Sequence, residues 1–362
     1  MDTKQKRVLI IGPAHPLRGG LASFNERLAK QFQLEGMQAS IYTFSLQYPS
    51  FLFPGTTQYS QEKAPNDISI QVKINSINPF NWFKIGKEIQ GAKPDIVVVR
   101  YWLPFMAPCL GTILRLVKTN KHTKVICIAD NILPHEKRFG DKSFTNYFIQ
   151  PIDGFITMSH KVSSDLKQFT SKPQLQVVHP LYDNFGEAIS IVDARTKLQL
   201  DPNAKLLLFF GFIRRYKGLD LLLEAMSLLK EKEHVDPTIK LLVAGEFYEN
   251  KQPYLDLITH YRLEDTVILR TEFIQDSEVK YFISAADCII QPYRNATQSG
   301  VTPLAYHFEK PMIVTNVGGL ASMVPEGIGL IIEPNPNSIA QAIADFFSMP
   351  REYMYPNIRL EK

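Results

Sequence analysis

The sequence predicts an α/β protein built as two tandem Rossmann-like domains, with parallel sheets facing a central cleft. Three observations carry this. At 362 residues the chain is longer than one hydrophobic core normally serves. Short, continuously apolar runs alternate with amphipathic segments, the pattern of a parallel sheet covered on both faces by helices. That alternation stops at a mixed polar stretch, "HPLYDNFGEAISIVDARTKLQLDPNAK", and then begins again. The boundary is placed there, giving domains 1–185 and 186–362.

In the first domain the strand-like runs are "RVLIIG" (7–12), "QASIYTF" (38–44), "ISIQVK" (68–73), "DIVVVR" (95–100), "KVICIAD" (124–130), "GFITMS" (154–159) and "LQVVH" (175–179). Between them lie segments such as "LASFNERLAKQFQLEG", with apolar residues at helical spacing and a terminal glycine. The second domain repeats the grammar with "KLLLFFG" (205–211), "IKLLVAG" (239–245), "TVILR" (266–270), "ADCIIQ" (286–291), "PMIVT" (311–315) and "GLIIE" (329–333). Its helices are expected over 219–229, 253–261, 276–285 and 338–347.

Composition narrows the class. With 45% hydrophobic and 21% charged residues the chain reads as an ordinary globular protein. The apolar run Val8 to Ile11 is too short for a signal peptide, and no later stretch reaches bilayer-spanning length. Cys109, Cys127 and Cys288 stand singly in apolar surroundings without metal-ligand spacing, as reduced core residues of a cytoplasmic protein do. Residues 1–190 hold 22 Lys and Arg against 14 Asp and Glu, a net of +8, while residues 191–362 hold 18 against 22, a net of −4. Chance scatter accounts for this, or a basic first domain faces anionic lipid or phosphate-bearing substrates.

Four strand ends carry the chemistry. In "IIGPAHPLRGGLASFNERL", Gly19 and Gly20 open a helix and allow close backbone approach to a ligand; a flexible turn is the plain alternative. In "LLLFFGFIRRYKGLDLLLEAM", cations crowd a helix N-terminus that the helix dipole would keep clear of them, which suggests an anion among them. Arg214 and Lys217 are close enough in sequence to converge on one diphosphate. In "QPYRNATQSGVTPLAYHFEKPMIVT", Ser299 resembles an N-cap, and the N–H groups of Gly300 and Val301 would face the same anion or merely open an ordinary capped helix. The fourth, Gly318-Gly319 in "TNVGGLASMV", is a weak signal by itself. Together these loops suit a nucleotide diphosphate held between two Rossmann-like domains. No GxGxxG follows "RVLIIG", which disfavours nicotinamide redox chemistry.

The ordered series "GGLASFNERLA", "FFGFIRRYKGLDLLLEAM", "LLVAGEFYE" and "EFIQDSEVKYFISAADCIIQPYRNATQSGVTPLAYHFEKPMIVTNVGGL" resembles the retaining group 1 (family 4-like) glycosyltransferases of GT-B fold, in a variant with a Ser-Gly-Val donor loop. The resemblance implies transfer of a sugar, with retention, from a UDP- or GDP-sugar to a glycan or lipid-linked acceptor. It implies no metal and no cofactor, and the absence of any Asp-x-Asp agrees with this. It places Tyr293 and Arg294 along the donor pocket, and Glu246 and Phe273 near the ribose and base. Where many relatives carry two glutamates eight positions apart, this chain has Ala296 and Leu304; Ser322 replaces a further glutamate. Asp130 stands near the place of a histidine in relatives, a candidate base for the acceptor hydroxyl or a turn cap. His135, five residues on, is a candidate to orient hydroxyls or a plain loop residue. A nucleotide-sugar epimerase or a non-catalytic partner subunit are the competing functions. No nucleic-acid partner is expected. A peripheral contact with the inner membrane surface is expected through "INPFNWFKIGKEIQ" (77–90), where Phe80, Trp82 and Phe83 stand beside Lys84 and Lys87; an ordinary helix packed on the sheet is the alternative.

Overall fold

The computed structural model describes residues 5–50, 53, 55–133, 140–180, 183–231, 236–296, 299–325, 327–349 and 358–359. The chain divides into two compact units, Met1–His179 and Pro180–Lys362.

The N-terminal unit runs β1 (Arg7–Ile11), α1 (Gly20–Leu34), β2 (Gln38–Leu46), β3 (Ser69–Asn75), α2 (Pro79–Ala92), β4 (Ile96–Tyr101), α3 (Ala107–Lys118), β5 (Lys124–Ala129), α4 (Asp141–Ile149), β6 (Gly154–Thr157), α5 (His160–Lys167) and β7 (Gln174–Gln176). Its seven strands are all parallel, in the order β3-β2-β1-β4-β5-β6-β7. The apolar runs are continuous because both faces of these strands are covered: Ile10, Ile11, Val97 and Val99 are fully buried. Phe148 of α4 stacks on Tyr101 at the end of β4, with ring centroids 4.1 Å apart. Each such side chain contributes about 1.5–3 kcal/mol of burial. Helix α2 starts where Asn78 accepts hydrogen bonds from the N–H groups of Phe80 and Asn81, with Pro79 in its first turn.

The C-terminal unit runs α6 (Ile191–Leu198), β8 (Lys205–Phe210), α7 (Leu219–Glu231), β9 (Ile239–Ala244), α8 (Gln252–His260), β10 (Val267–Arg270), α9 (Val279–Ala285), β11 (Cys288–Gln291), α10 (Val301–His307), β12 (Met312–Thr315), β13 (Gly329–Ile332) and α11 (Pro336–Ser348). Six parallel strands stand in the order β10-β9-β8-β11-β12-β13. Both units thus have the expected all-parallel α/β build.

The units part between His179 and Pro180, and the polar stretch that begins there carries a helix. Its helix α6 belongs to the C-terminal unit through Arg195, which is buried. This side chain donates to the carbonyls of Ala285 (3.1 Å) and Pro202 (2.7 Å) and to Asp287 Oδ2 (2.9 Å). Asp287 Oδ2 also accepts from Leu206 N at 2.7 Å, so one carboxylate ties α6 to the strands β8 and β11.

Both sheets reverse their strand order beside the first strand of the unit, at β1/β4 and at β8/β11. Open α/β sheets bind ligands at the strand C-termini of such a reversal, because the following loops diverge there.

Candidate active site

At the reversal in the C-terminal unit, two loops lock together through glycine. After β8, Gly211 has φ 93°, and a Cβ on it would lie 3.0 Å from Lys217 Nζ. A 3-10 turn, Arg215–Lys217, leads to Gly218 at φ 69°, where a Cβ would stand 2.0 Å from the Pro292 carbonyl of the loop after β11. Only glycine permits that approach. The Arg294 N–H closes it by donating to Tyr216 O at 2.7 Å.

This folding buries Lys217, whose ammonium sits 5.6 Å from the Tyr293 ring centroid. Among the described residues it has no hydrogen-bonding or ionic partner. Burial, and then the neighbouring charge of Arg214, pull its pKa down to about 7. Arg214 itself is exposed, its guanidinium 5.1 Å from the Tyr248 ring.

The start of α10 lies in the same place, with Val301 Cγ2 3.9 Å from the Cβ position of Gly211. Its details correct the sequence reading. Gly300, not Ser299, is the N-cap residue. The buried Ser299 hydroxyl donates to Gln291 Oε1 at 2.5 Å and accepts from Val301 N at 3.2 Å. The Val301 N–H is therefore already engaged, and Gly300 supplies the N–H without a partner among the described residues. Gln291, buried at the end of β11, also donates to Thr302 Oγ1 at 3.1 Å and so fixes the helix start. A polar residue ending an apolar strand was the visible signal for this anchor.

The other expected donor residues divide. Tyr293 is buried beneath Lys217, its hydroxyl 3.4 Å from Ser299 Oγ, and burial pushes its phenol pKa up. Arg294 is held by Asp220 of α7 at 2.5 Å and is not an unpaired cation. Glu246 is buried after β9, and its carbonyl accepts from Ile213 N at 2.8 Å. Phe273 joins an aromatic group that the sequence did not disclose: it lies 6.3 Å from Phe212, which stacks on Tyr248 at 4.1 Å. These rings follow β8, β9 and β10, and of the three only Phe273 was singled out by the sequence. Ala296 and Leu304, in place of glutamates, are both buried. A Cβ on Gly318 (φ 55°) would lie 1.6 Å from Ala296 O, which gives the fourth glycine loop a packing role.

In the N-terminal unit Gly19 has φ 99° and caps α1, which starts at Gly20. Asp130 follows β5, and both its oxygens accept from Arg100, Nε to Oδ2 and Nη2 to Oδ1, each at 2.6 Å. Arg100 is buried and its guanidinium lies 3.8 Å from the Phe24 ring centroid. His135 lies outside the described residues. Among the described residues no group of three or more His, Cys, Asp or Glu is placed to hold a metal. Cys109, Cys127 and Cys288 are buried free thiols.

Residues 191–360 match the family model "Glycosyl transferases group 1". The match lies within the C-terminal unit. The D-inositol 3-phosphate glycosyltransferase of Pseudarthrobacter chlorophenolicus is 29% identical over 141 residues, 39% of this chain and only 33% of that relative's length. An uncharacterized glycosyltransferase of Methanocaldococcus jannaschii is 23% identical over 352 residues, covering 94% of this chain and 88% of its own. Among solved structures, sucrose-phosphate synthase from Thermosynechococcus elongatus superposes with TM-score 0.73 at 15% identity, over 99% of this chain and 97% of that one. Anabaena HepE in complex with UDP-glucose superposes with TM-score 0.65 at 15% identity, over 98% and 97%. These structures establish the GT-B fold.

Proposed function

We propose that the protein transfers a sugar from a nucleotide-diphosphate sugar to a hydroxyl of a glycan or lipid-linked acceptor, with retention and without a metal. The observation that carries this is Lys217, a buried cation with no partner among the described residues, at the strand C-termini where such sheets bind ligands. An uncompensated buried charge costs several kcal/mol, and a diphosphate would offset it. Structural neighbours have been solved in complex with UDP, ADP and UDP-glucose, which agrees with a nucleotide-diphosphate donor.

In this reading Lys217, Arg214 and the Gly300 N–H stabilise the leaving diphosphate as charge develops on it. The base lies toward Phe212 and Phe273, with Glu246 near the ribose. The bond from the anomeric carbon to the phosphate oxygen breaks while the bond to the acceptor oxygen forms. The acceptor proton passes to the departing phosphate. Asp130, with both oxygens on Arg100, suits the positioning of acceptor hydroxyls better than the taking of their proton. An epimerase would dispense with an acceptor, and a non-catalytic subunit would have no use for Lys217.

Thermal unfolding in the presence of UDP-, GDP- and ADP-sugars tests the reading. One of them at a hundred times its Kd stabilises the fold by about 2.7 kcal/mol. A shift with none of them, or turnover that EDTA abolishes and manganese restores, overturns it.

A further inference from the structure

The donor loops leave unexplained a set of aromatic residues at the strand C-termini of the N-terminal unit. Tyr48 follows β2, Trp102 follows β4, and Phe105 lies in the 3-10 turn Pro104–Met106 leading into α3. The Tyr48 and Phe105 rings are 6.2 Å apart, and Phe53 lies 6.4 Å from Tyr48 and nearly parallel to it. Trp102 Nε1 donates to the Tyr48 hydroxyl, and the indole meets buried Phe44 edge-on. All of these rings except Phe44 are only partly buried. Strands β2 and β4 flank β1 on opposite sides, so their loops approach the order reversal from both directions.

The surroundings are polar and held in place. The Gln58 carboxamide grips the Tyr48 main chain, donating to its carbonyl at 2.8 Å and accepting from its N–H at 3.1 Å. The Arg18 N–H donates to Gln58 O at 3.0 Å, which ties this loop to the Gly19-Gly20 turn. On the other flank the Asp130 N–H donates to Tyr101 O at 2.9 Å, bringing the Arg100–Asp130 pair beside the Trp102 segment.

We propose that Tyr48, Trp102 and Phe105 form the platform that receives a sugar ring of a saccharide acceptor. A pyranose has a C–H face and a rim of hydroxyls. Aromatic faces supply dispersion contact for the first, and the Tyr48 hydroxyl and the polar loop groups around it supply hydrogen bonds for the second. An alkyl or prenyl chain would gain nothing from the Tyr48 hydroxyl and its polar neighbours and would desolvate them at a cost. The proposal rests on the glycosyl-transfer reading and adds the chemistry of its second substrate.

The chain has two tryptophans, Trp82 and Trp102, so 5-fluorotryptophan labelling gives two fluorine signals, assigned with Trp102→Phe. The full-length protein is titrated with maltose, cellobiose, chitobiose and dodecanol, with and without UDP. A disaccharide should move the Trp102 signal saturably and leave Trp82 still. Tyr48→Ala and Phe105→Ala should each weaken that response at least tenfold, with an unchanged Trp82 signal reporting an intact fold. A silent Trp102 with all three sugars, a response to dodecanol alone, or equal movement of both signals overturns the platform. Calorimetry with UDP on the same samples separates the two readings: UDP binding beside a silent Trp102 discards the platform alone, and no nucleotide binding discards the transferase.

Discussion

Lys217 is a cation folded into a place that disfavours cations, and its titration follows from that. Its folded pKa is near 7, against about 10.4 for an unperturbed lysine. Between those values the unfolded chain binds a proton that the folded chain does not, so this residue's contribution to stability rises with pH across that window and is lost as pH falls through 7. A bound diphosphate reverses the preference by stabilising the charged form. Donor affinity should therefore fall as pH rises above about 7, by up to tenfold per unit, while the ligand-free protein gains stability from this group. Lys217→Met should remove both trends, leave the fold at least as stable, and weaken UDP by about 1.5–3 kcal/mol. Arg214→Ala should lower affinity comparably and, by removing the second cause of the depressed lysine pKa, move the pH trend of stability to higher pH without abolishing it. Calorimetric titration with UDP at pH 6, 7, 8 and 9 checks this; wild-type and Lys217→Met profiles of equal slope would refute it. The basic loop was legible in the sequence because three cations crowd one helix start. The burial of only one of them was not, because Gly211 and Gly218 decide it through contacts with a distant strand end.

At the scale of elements, the two glycines at helix starts should respond differently. Gly218 has φ 69° and no room for a Cβ against Pro292 O, so Gly218→Ala forces the loops after β8 and β11 apart. We expect a loss of about 1–3 kcal/mol in stability together with loss of donor binding. Gly300 has φ −71°, ordinary for any residue, and is exposed. Gly300→Val should cost little stability yet crowd the backbone N–H from an incoming phosphate, and UDP affinity should drop. Urea unfolding combined with UDP titration distinguishes the pair; equal losses of stability and affinity for Gly300→Val would make that glycine a plain helix cap. Ser299 shows how far a pattern reaches. A serine before a helix reads as its N-cap, but here the hydroxyl donates its hydrogen bond to buried Gln291 and the cap position moves on by one residue. Helix α6 was missed for a related reason: its buried anchor is Arg195, and buried arginines look like surface in a hydrophobicity pattern. Arg195→Ala should cost about 3–5 kcal/mol by leaving Asp287 buried without its counter-ion, whereas Lys205→Ala at the half-exposed Asp236 pair should cost less than about 1 kcal/mol.

For the whole molecule, both parallel sheets could be read from the chain because their strands are apolar throughout and their helices amphipathic. The surface was harder to read, since exposure depends on what packs where. In "INPFNWFKIGKEIQ" the three aromatics divide. Trp82 turns inward and donates from Nε1 to Asn75 O at 2.7 Å. Phe80 and Phe83 remain 88% and 52% exposed beside Ile77 at 49%, with Lys84 and Lys87 also exposed. Apolar side chains that gain nothing from water, next to lysines in a region of net +8, suit the interface of an anionic bilayer. No helix among the described residues is long and apolar enough to cross a membrane. We propose a peripheral contact, held by a few aromatics and by charge. Sedimentation with vesicles should show binding to phosphatidylglycerol mixtures and none to pure phosphatidylcholine, and binding should fade as salt shortens the screening length from about 30 Å at 0.01 M to about 8 Å at 0.15 M. Phe80→Ser with Phe83→Ser should weaken it further without changing UDP affinity, because neither ring belongs to the donor loops. No binding to anionic vesicles at low salt would assign these aromatics to the ordinary helix surface and the charge asymmetry to chance.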